Sequence, residues 1–357
     1  MRDALLVFHR WLALVTSVFI LVLAVTGSAL VFEGAIDRGL NPQLWQVAAG
    51  TRTLSLDTLV SRAQTVSRDS ISGLTLATVS DRAWIARAPT SQIFLDPYTG
   101  RVMGTRALED FNRSLPRRLH VLHTSLLAGN AGSELVGIVT LATFLLLVTG
   151  VILWWPDMLV KVRWRASWKR VVFDLHHVLG IIAALVLFVI SASGSIIHYD
   201  ALNGAITRLD AMPRPAPPKQ PAAGERQMTI ALDSAVHAAS IALPGARIIS
   251  VSMPGKPDQP LVVGMRFPED RTPGGRSRVY VDRYRGVVLL ADGTRGAPTG
   301  RAISNVMRSM HTGDVLGKPT EVVWLLASLI LAWQGVSGAL MWWNGRAARA
   351  AIRRSYK

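Results

Sequence analysis

Leu122-His123-Thr124 recurs as Met310-His311-Thr312, and a tryptophan pair follows each copy at the same distance. The pairs are Trp154-Trp155 and Trp342-Trp343, and the separations agree (154 − 123 = 31; 342 − 311 = 31). Between histidine and tryptophans lie a polar break and an apolar run of membrane length. A second match joins Phe8-His9, whose run ends in Thr26-Gly27-Ser28, to Leu175-His176, whose run ends in Ser193-Gly194-Ser195 (27 − 9 = 18; 194 − 176 = 18). The chain is therefore an internal duplication. Each half reads histidine, span, soluble stretch, His-Thr, span, Trp-Trp.

A span needs about 20 apolar residues at 1.5 Å rise, and four runs qualify. The expected order is a first transmembrane helix at 1–33, a soluble domain with a short histidine-bearing helix at 34–134, and a second span at 135–155. A basic loop at 156–170, a third span at 171–199, a second such soluble domain at 200–321, a fourth span at 322–343 and a basic tail at 344–357 complete it. The fold class is an α-helical membrane bundle, duplicated 2+2, with two small α+β domains.

The net charge of +16 is explained by its placement. Arg2 and Arg10, the cluster Lys161, Arg163, Arg165, Lys169 and Arg170, and the cluster Arg346, Arg349, Arg353, Arg354 and Lys357 share one side if the chain crosses four times. The positive-inside rule puts that side, with both termini, in the cytoplasm and the long segments outside. Basic patches that hug a bilayer argue against nucleic acid.

Within the outer segments, alternating residues near 74–79, 84–88 and 92–95 read as strands. Asp96-Pro97-Tyr98-Thr99-Gly100 is a turn, echoed by Asp282-Arg283-Tyr284-Arg285-Gly286. A helix starting at Leu56-Asp57 is echoed at Leu232-Asp233. Residues 213–221 are proline-rich and read as an extended linker.

Polar ligand-capable groups in or beside spans are functional hypotheses by default. His9 matches His176, and His123 matches His311. Two imidazoles at each of two depths, with no cysteine anywhere, do not suit a closed zinc site. They suit two b-type haems held by axial histidines without covalent attachment. His177 competes with His176, about 100° around the helix. His198 reads as an interfacial anchor, with a reserve role as ligand of the outer haem, the one between His123 and His311. Arg10, Arg118 and Arg308 are candidate propionate partners, or solvated interfacial charges. No G-x-G-x-x-G unit supports a nicotinamide or flavin domain, so electrons come from quinol or a cytoplasmic donor.

The chain resembles the PepSY-associated membrane proteins, a family that includes iron-regulated siderophore reductases of bacterial inner membranes. The resemblance rests on Phe8-His9-Arg10-Trp11-Leu12, Leu122-His123-Thr124-Ser125-Leu126, Leu175-His176-His177-Val178-Leu179-Gly180 and Met310-His311-Thr312-Gly313. It implies a four-helix di-haem protein with periplasmic PepSY domains that reduces Fe(III)-siderophore. The adjacent His177 departs from the family's commoner single histidine. Two other readings stay open: a haem subunit serving another periplasmic reductase, and a non-redox binding or regulatory protein.

Overall fold

The computed structural model describes residues 1–155, 157–210, 215–220, 228–253 and 255–355. Pro156 and residues 213, 214 and 221 of the proline-rich linker lie outside them. The chain forms two compact units, one of residues 1–33, 118–205 and 307–357 and the other of residues 34–117 and 206–306.

The first unit is built on four long helices: Arg2–Leu30, Gly129–Trp154, Trp168–His198 and Lys318–Ser355. All four are long and apolar enough to cross a membrane, the last of them over Lys318–Arg346. The fourth helix runs on to Ser355, into the stretch expected to be a tail. The first span packs against the second and fourth, and the third packs against the same two. The first and third spans therefore face each other diagonally. Large apolar side chains point outward, Val15 and Leu185 among them, as lipid-facing surfaces require. Hydroxyls occupy the buried faces. Thr16, Thr26, Thr149 and Ser337 each donate to the carbonyl four residues earlier, which satisfies them in an apolar surrounding.

A short helix precedes the second and fourth spans. Leu115–Ser125 carries His123, and Thr299–Thr312 carries His311. Each turns sharply into its span. In the first copy Leu126, Leu127 and Gly129 take positive φ. A side chain at Gly132 would strike the Ser125 carbonyl. In the second copy Gly313 and Gly317, both at positive φ, bracket a single 3-10 turn.

The second unit holds an antiparallel sheet of β1 (Gly73–Thr75), β2 (Trp84–Arg87), β3 (Ser91–Leu95), β4 (Val102–Ala107), β5 (Arg247–Ser252), β6 (Leu261–Arg266), β7 (Ser277–Val281) and β8 (Val288–Asp292). The order is β4-β3-β2-β1-β5-β6-β7-β8. Two small α+β domains were expected; their strands join in one sheet where β1 and β5 pair, Gly73 with Ser252 and Thr75 with Ser250. Pairing covers two edges that would otherwise present open backbone groups.

Helices Leu56–Gln64 and Leu232–Ala242 pack on one face, with Leu59 and Ala235 buried in one core with Leu74, Ile93, Val251, Val263 and Val279. Their N-termini cap each other. The Leu56 N–H donates to the Asp233 carboxylate at 3.0 Å, and the Leu232 N–H to that of Asp57 at 3.0 Å. The duplicated turns are also alike. Asp96 and Asp282 accept from the backbone N–H of Tyr98 and Tyr284, and Gly100 and Gly286 both sit at φ +72°.

Candidate functional site

The short helices fold back against the spans, so that His123 meets the end of the first span and His311 the end of the third. Two glycines make room. A Cβ on Gly27 would lie 3.1 Å from His123 Cε1, and one on Gly194 would lie 2.9 Å from His311 Cε1. These are the glycines of the repeated Thr-Gly-Ser and Ser-Gly-Ser ends.

Each ring is fixed through Nδ1. Thr26 Oγ1 gives its proton to the Val22 carbonyl at 2.7 Å, so it accepts from His123 Nδ1–H at 3.0 Å. His311 Nδ1–H donates to the Ile190 carbonyl at 2.9 Å. The two imidazoles then face each other, 6.2 Å apart between centres and inclined at 47°. Burial, and after it the neighbouring His311, lowers the His123 pKa to about 4. Burial lowers that of His311 too. Both rings are neutral near pH 7 and offer a lone pair at Nε2.

The second pair lies on the spans themselves, near the starts of the first and third. His9, on the first span, and His176, on the third, line one cavity of about 470 Å³, within the usual range for cofactor pockets, about 300–1,000 Å³. Along the second span its lining runs from Thr143 to Trp154, about 16 Å at 1.5 Å per residue. The wall is mainly apolar, and Gly150 and Gly338 lie beside the Cε1 atoms of His9 and His176. Nδ1 of His9 meets Thr149 Oγ1 at 2.8 Å, and Nδ1 of His176 meets Ser337 Oγ at 2.8 Å.

The other candidates are distributed as follows. His177 lines the same cavity, but its Nδ1–H donates to the Phe173 carbonyl of its own helix at 2.8 Å, and its ring leans on Phe173. His198 stacks edge-on against Tyr199, and both crowd Gly137 of the second span. Arg10 lines the cavity, and its Nε is buried with no hydrogen-bond partner. Arg118 and Arg308 are exposed. Arg308 is close enough to His311 to disfavour its protonation. His120 lies near Glu33 at 3.9 Å.

Sequence reasoning passed over Thr26, Thr149 and Ser337. A signal was available: 149 and 337 stand at the same repeat offset as the tryptophan pairs (337 − 149 = 188; 342 − 154 = 188). It also missed Asp174, which is fully buried and held by Arg163 and Arg170.

Among the described residues, no group of three or more His, Asp or Glu side chains could hold a metal ion. The arrangement is instead one pair of facing imidazoles, His123 and His311, and a second pair, His9 and His176, that lines one cavity. A metal lies about 2 Å from each imidazole nitrogen it binds, which places two facing ring centres roughly 6 Å apart, as His123 and His311 are.

A four-span bundle with two pairs of histidines, joined to an α+β unit, defines a multi-pass membrane protein. The PepSY-associated TM region matches residues 6–344, and the chain belongs to that family. No curated protein matches it in sequence.

Proposed function

We propose that this protein is a di-haem reductase of a bacterial inner membrane. It carries electrons from quinol or a cytoplasmic donor to Fe(III)-siderophore on the periplasmic side, with both termini in the cytoplasm. The observation that carries the reading is the 6.2 Å spacing of His123 and His311, which suits one iron that both imidazoles would hold.

His123 and His311 would hold one haem b, and His9 and His176 the other. Haem supplies a one-electron Fe(III)/Fe(II) couple, which suits transfer across an apolar layer. The orphaned Arg10 Nε in the cavity of His9 and His176 fits a propionate carboxylate. Gly27 and Gly194 keep the other pair clear of side-chain bulk. Neutral rings bring no added charge into the bundle.

The substrate chemistry is balanced. One electron converts chelated Fe(III) to Fe(II), the chelator leaves unaltered, and each quinol oxidised supplies two electrons and releases two protons. Siderophores bind Fe(III) through hard oxygen donors and hold Fe(II) far less well, so reduction alone frees the metal.

The deciding experiment is a reduced-minus-oxidised spectrum of purified protein, followed by addition of Fe(III)-siderophore to the reduced form. Two low-spin b-type haems and capture of Fe(II) by a ferrous chelator are expected. A colourless protein would sink the reading. Haem without reaction toward the chelate would make the chain an electron-transfer subunit.

A further inference from the structure

Thr149 and Ser337 are equivalent residues of the two halves, and each reaches across to a histidine on a neighbouring helix. The contacts match at 2.8 Å. A hydroxyl carries one proton, and both are already committed: Thr149 Oγ1 donates to the Leu145 carbonyl at 2.8 Å, and Ser337 Oγ to the Trp333 carbonyl at 2.7 Å. Each oxygen can therefore only accept from the imidazole. That holds the ring proton on Nδ1 and leaves Nε2 bare. A hydroxyl adds nothing to packing that a methyl would not, so its presence twice at one repeat position calls for another cause.

We propose that Thr149 and Ser337 are positioning residues. They orient His9 and His176, select the tautomer that ligates through Nε2, and lower the reduction potential of the iron bound there. The inference rests on the haem reading above. Its physical basis is that a ligating imidazole whose N–H is hydrogen-bonded becomes a stronger donor. A stronger donor favours Fe(III) over Fe(II), so the couple shifts downward. Thr26 acts in the same way on His123. The acceptor for His311 is a backbone carbonyl, so its ring cannot be released by changing a side chain.

The test is an optical redox titration of the purified full-length protein. Thr149→Val and Ser337→Ala should each raise the midpoint of one haem and leave the other in place. Thr149→Ser and Ser337→Thr, which keep the hydroxyl, should stay at the wild-type value. Thr26→Val should move only the other haem. Low-spin electron paramagnetic resonance should show altered g-values for the affected haem alone. An unchanged midpoint and unchanged g-values in Thr149→Val and Ser337→Ala overturn the proposal. Loss of one haem from Thr149→Val, restored in Thr149→Ser, supports it. Loss from Thr149→Ser too, with the second haem retained, overturns it, because the hydroxyl is then present without effect. Wild-type protein that binds no haem refutes the parent reading instead.

Discussion

The imidazole of His123 stands 6.2 Å from that of His311, centre to centre, although 188 residues separate them (311 − 123 = 188). Neither half of the chain can make this pair alone. Each ring arrives on its own short helix and is pinned from behind, one by the Thr26 hydroxyl and one by the Ile190 carbonyl. The pair is thus assembled by closure of the duplicated bundle.

Histidine replacement should separate the two sites. His123→Ala or His311→Ala is expected to lose mainly one haem, and His9→Ala or His176→Ala mainly the other. His177→Ala and His198→Ala should keep both, since one ring is bonded to its own helix and the other is stacked on Tyr199. The haem-to-protein ratio is the readout. Full haem content in all four ligand variants would falsify the ligand assignment.

The glycines offer a gentler perturbation. Gly27→Ala and Gly194→Ala bring a methyl to about the positions noted, 3.1 and 2.9 Å from the histidine rings, tighter than carbon packing at roughly 3.5–4.0 Å. We expect a shifted haem spectrum and weaker retention at that site, more severe for Gly194→Val. A Gly194→Val protein with a wild-type spectrum would mean that His311 is placed by something else.

Electron exit can be assigned kinetically. Dithionite-reduced protein should be reoxidised by Fe(III)-siderophore, while His311→Ala protein that keeps the haem of His9 and His176 should react far more slowly. Hydroxamate-type chelates, neutral or cationic, are expected to serve as well as anionic ones. Reoxidation of the variant at the wild-type rate would place the exit elsewhere.

Orientation is an independent matter. Reporters fused after residues 156 and 357 should report cytoplasm, and those inserted near Gly50 and Pro218 should report periplasm. The reverse pattern would show that the basic loop does not govern insertion here.

The reciprocal helix caps of the second unit predict a shared stability. Asp57→Ala removes the partner of Leu232 N–H, and Asp233→Ala that of Leu56 N–H. Each change should cost about 1 kcal/mol, as loss of an N-cap does. Denaturant unfolding of the full chain, followed by a probe in this unit, would measure it. No change in either variant would mean that water replaces the caps.

Much of this was legible in the chain itself. Membrane-length apolar runs, the matched histidines and the Asp-to-Gly turns are local or periodic patterns. Bilayer thickness and turn geometry act on consecutive residues, so such patterns can be read without knowing what packs where. The Thr-Gly-Ser motif was visible too, but its use was not. Gly27 and Gly194 have meaning only against rings carried by helices remote in sequence.

The sequence by itself determined the duplication, the four spans and the short list of ligand-capable histidines, because composition and period suffice for those. Tertiary structure alone decided that two expected domains share one sheet, since strand pairing between β1 and β5 depends on edges meeting in space. It also decided which hydroxyl stands behind which imidazole. A hydrogen bond of 2.8 Å between Thr149 and His9 depends on how two helices rotate against each other, and their rotation is settled by the packing of the whole bundle rather than by either helix alone.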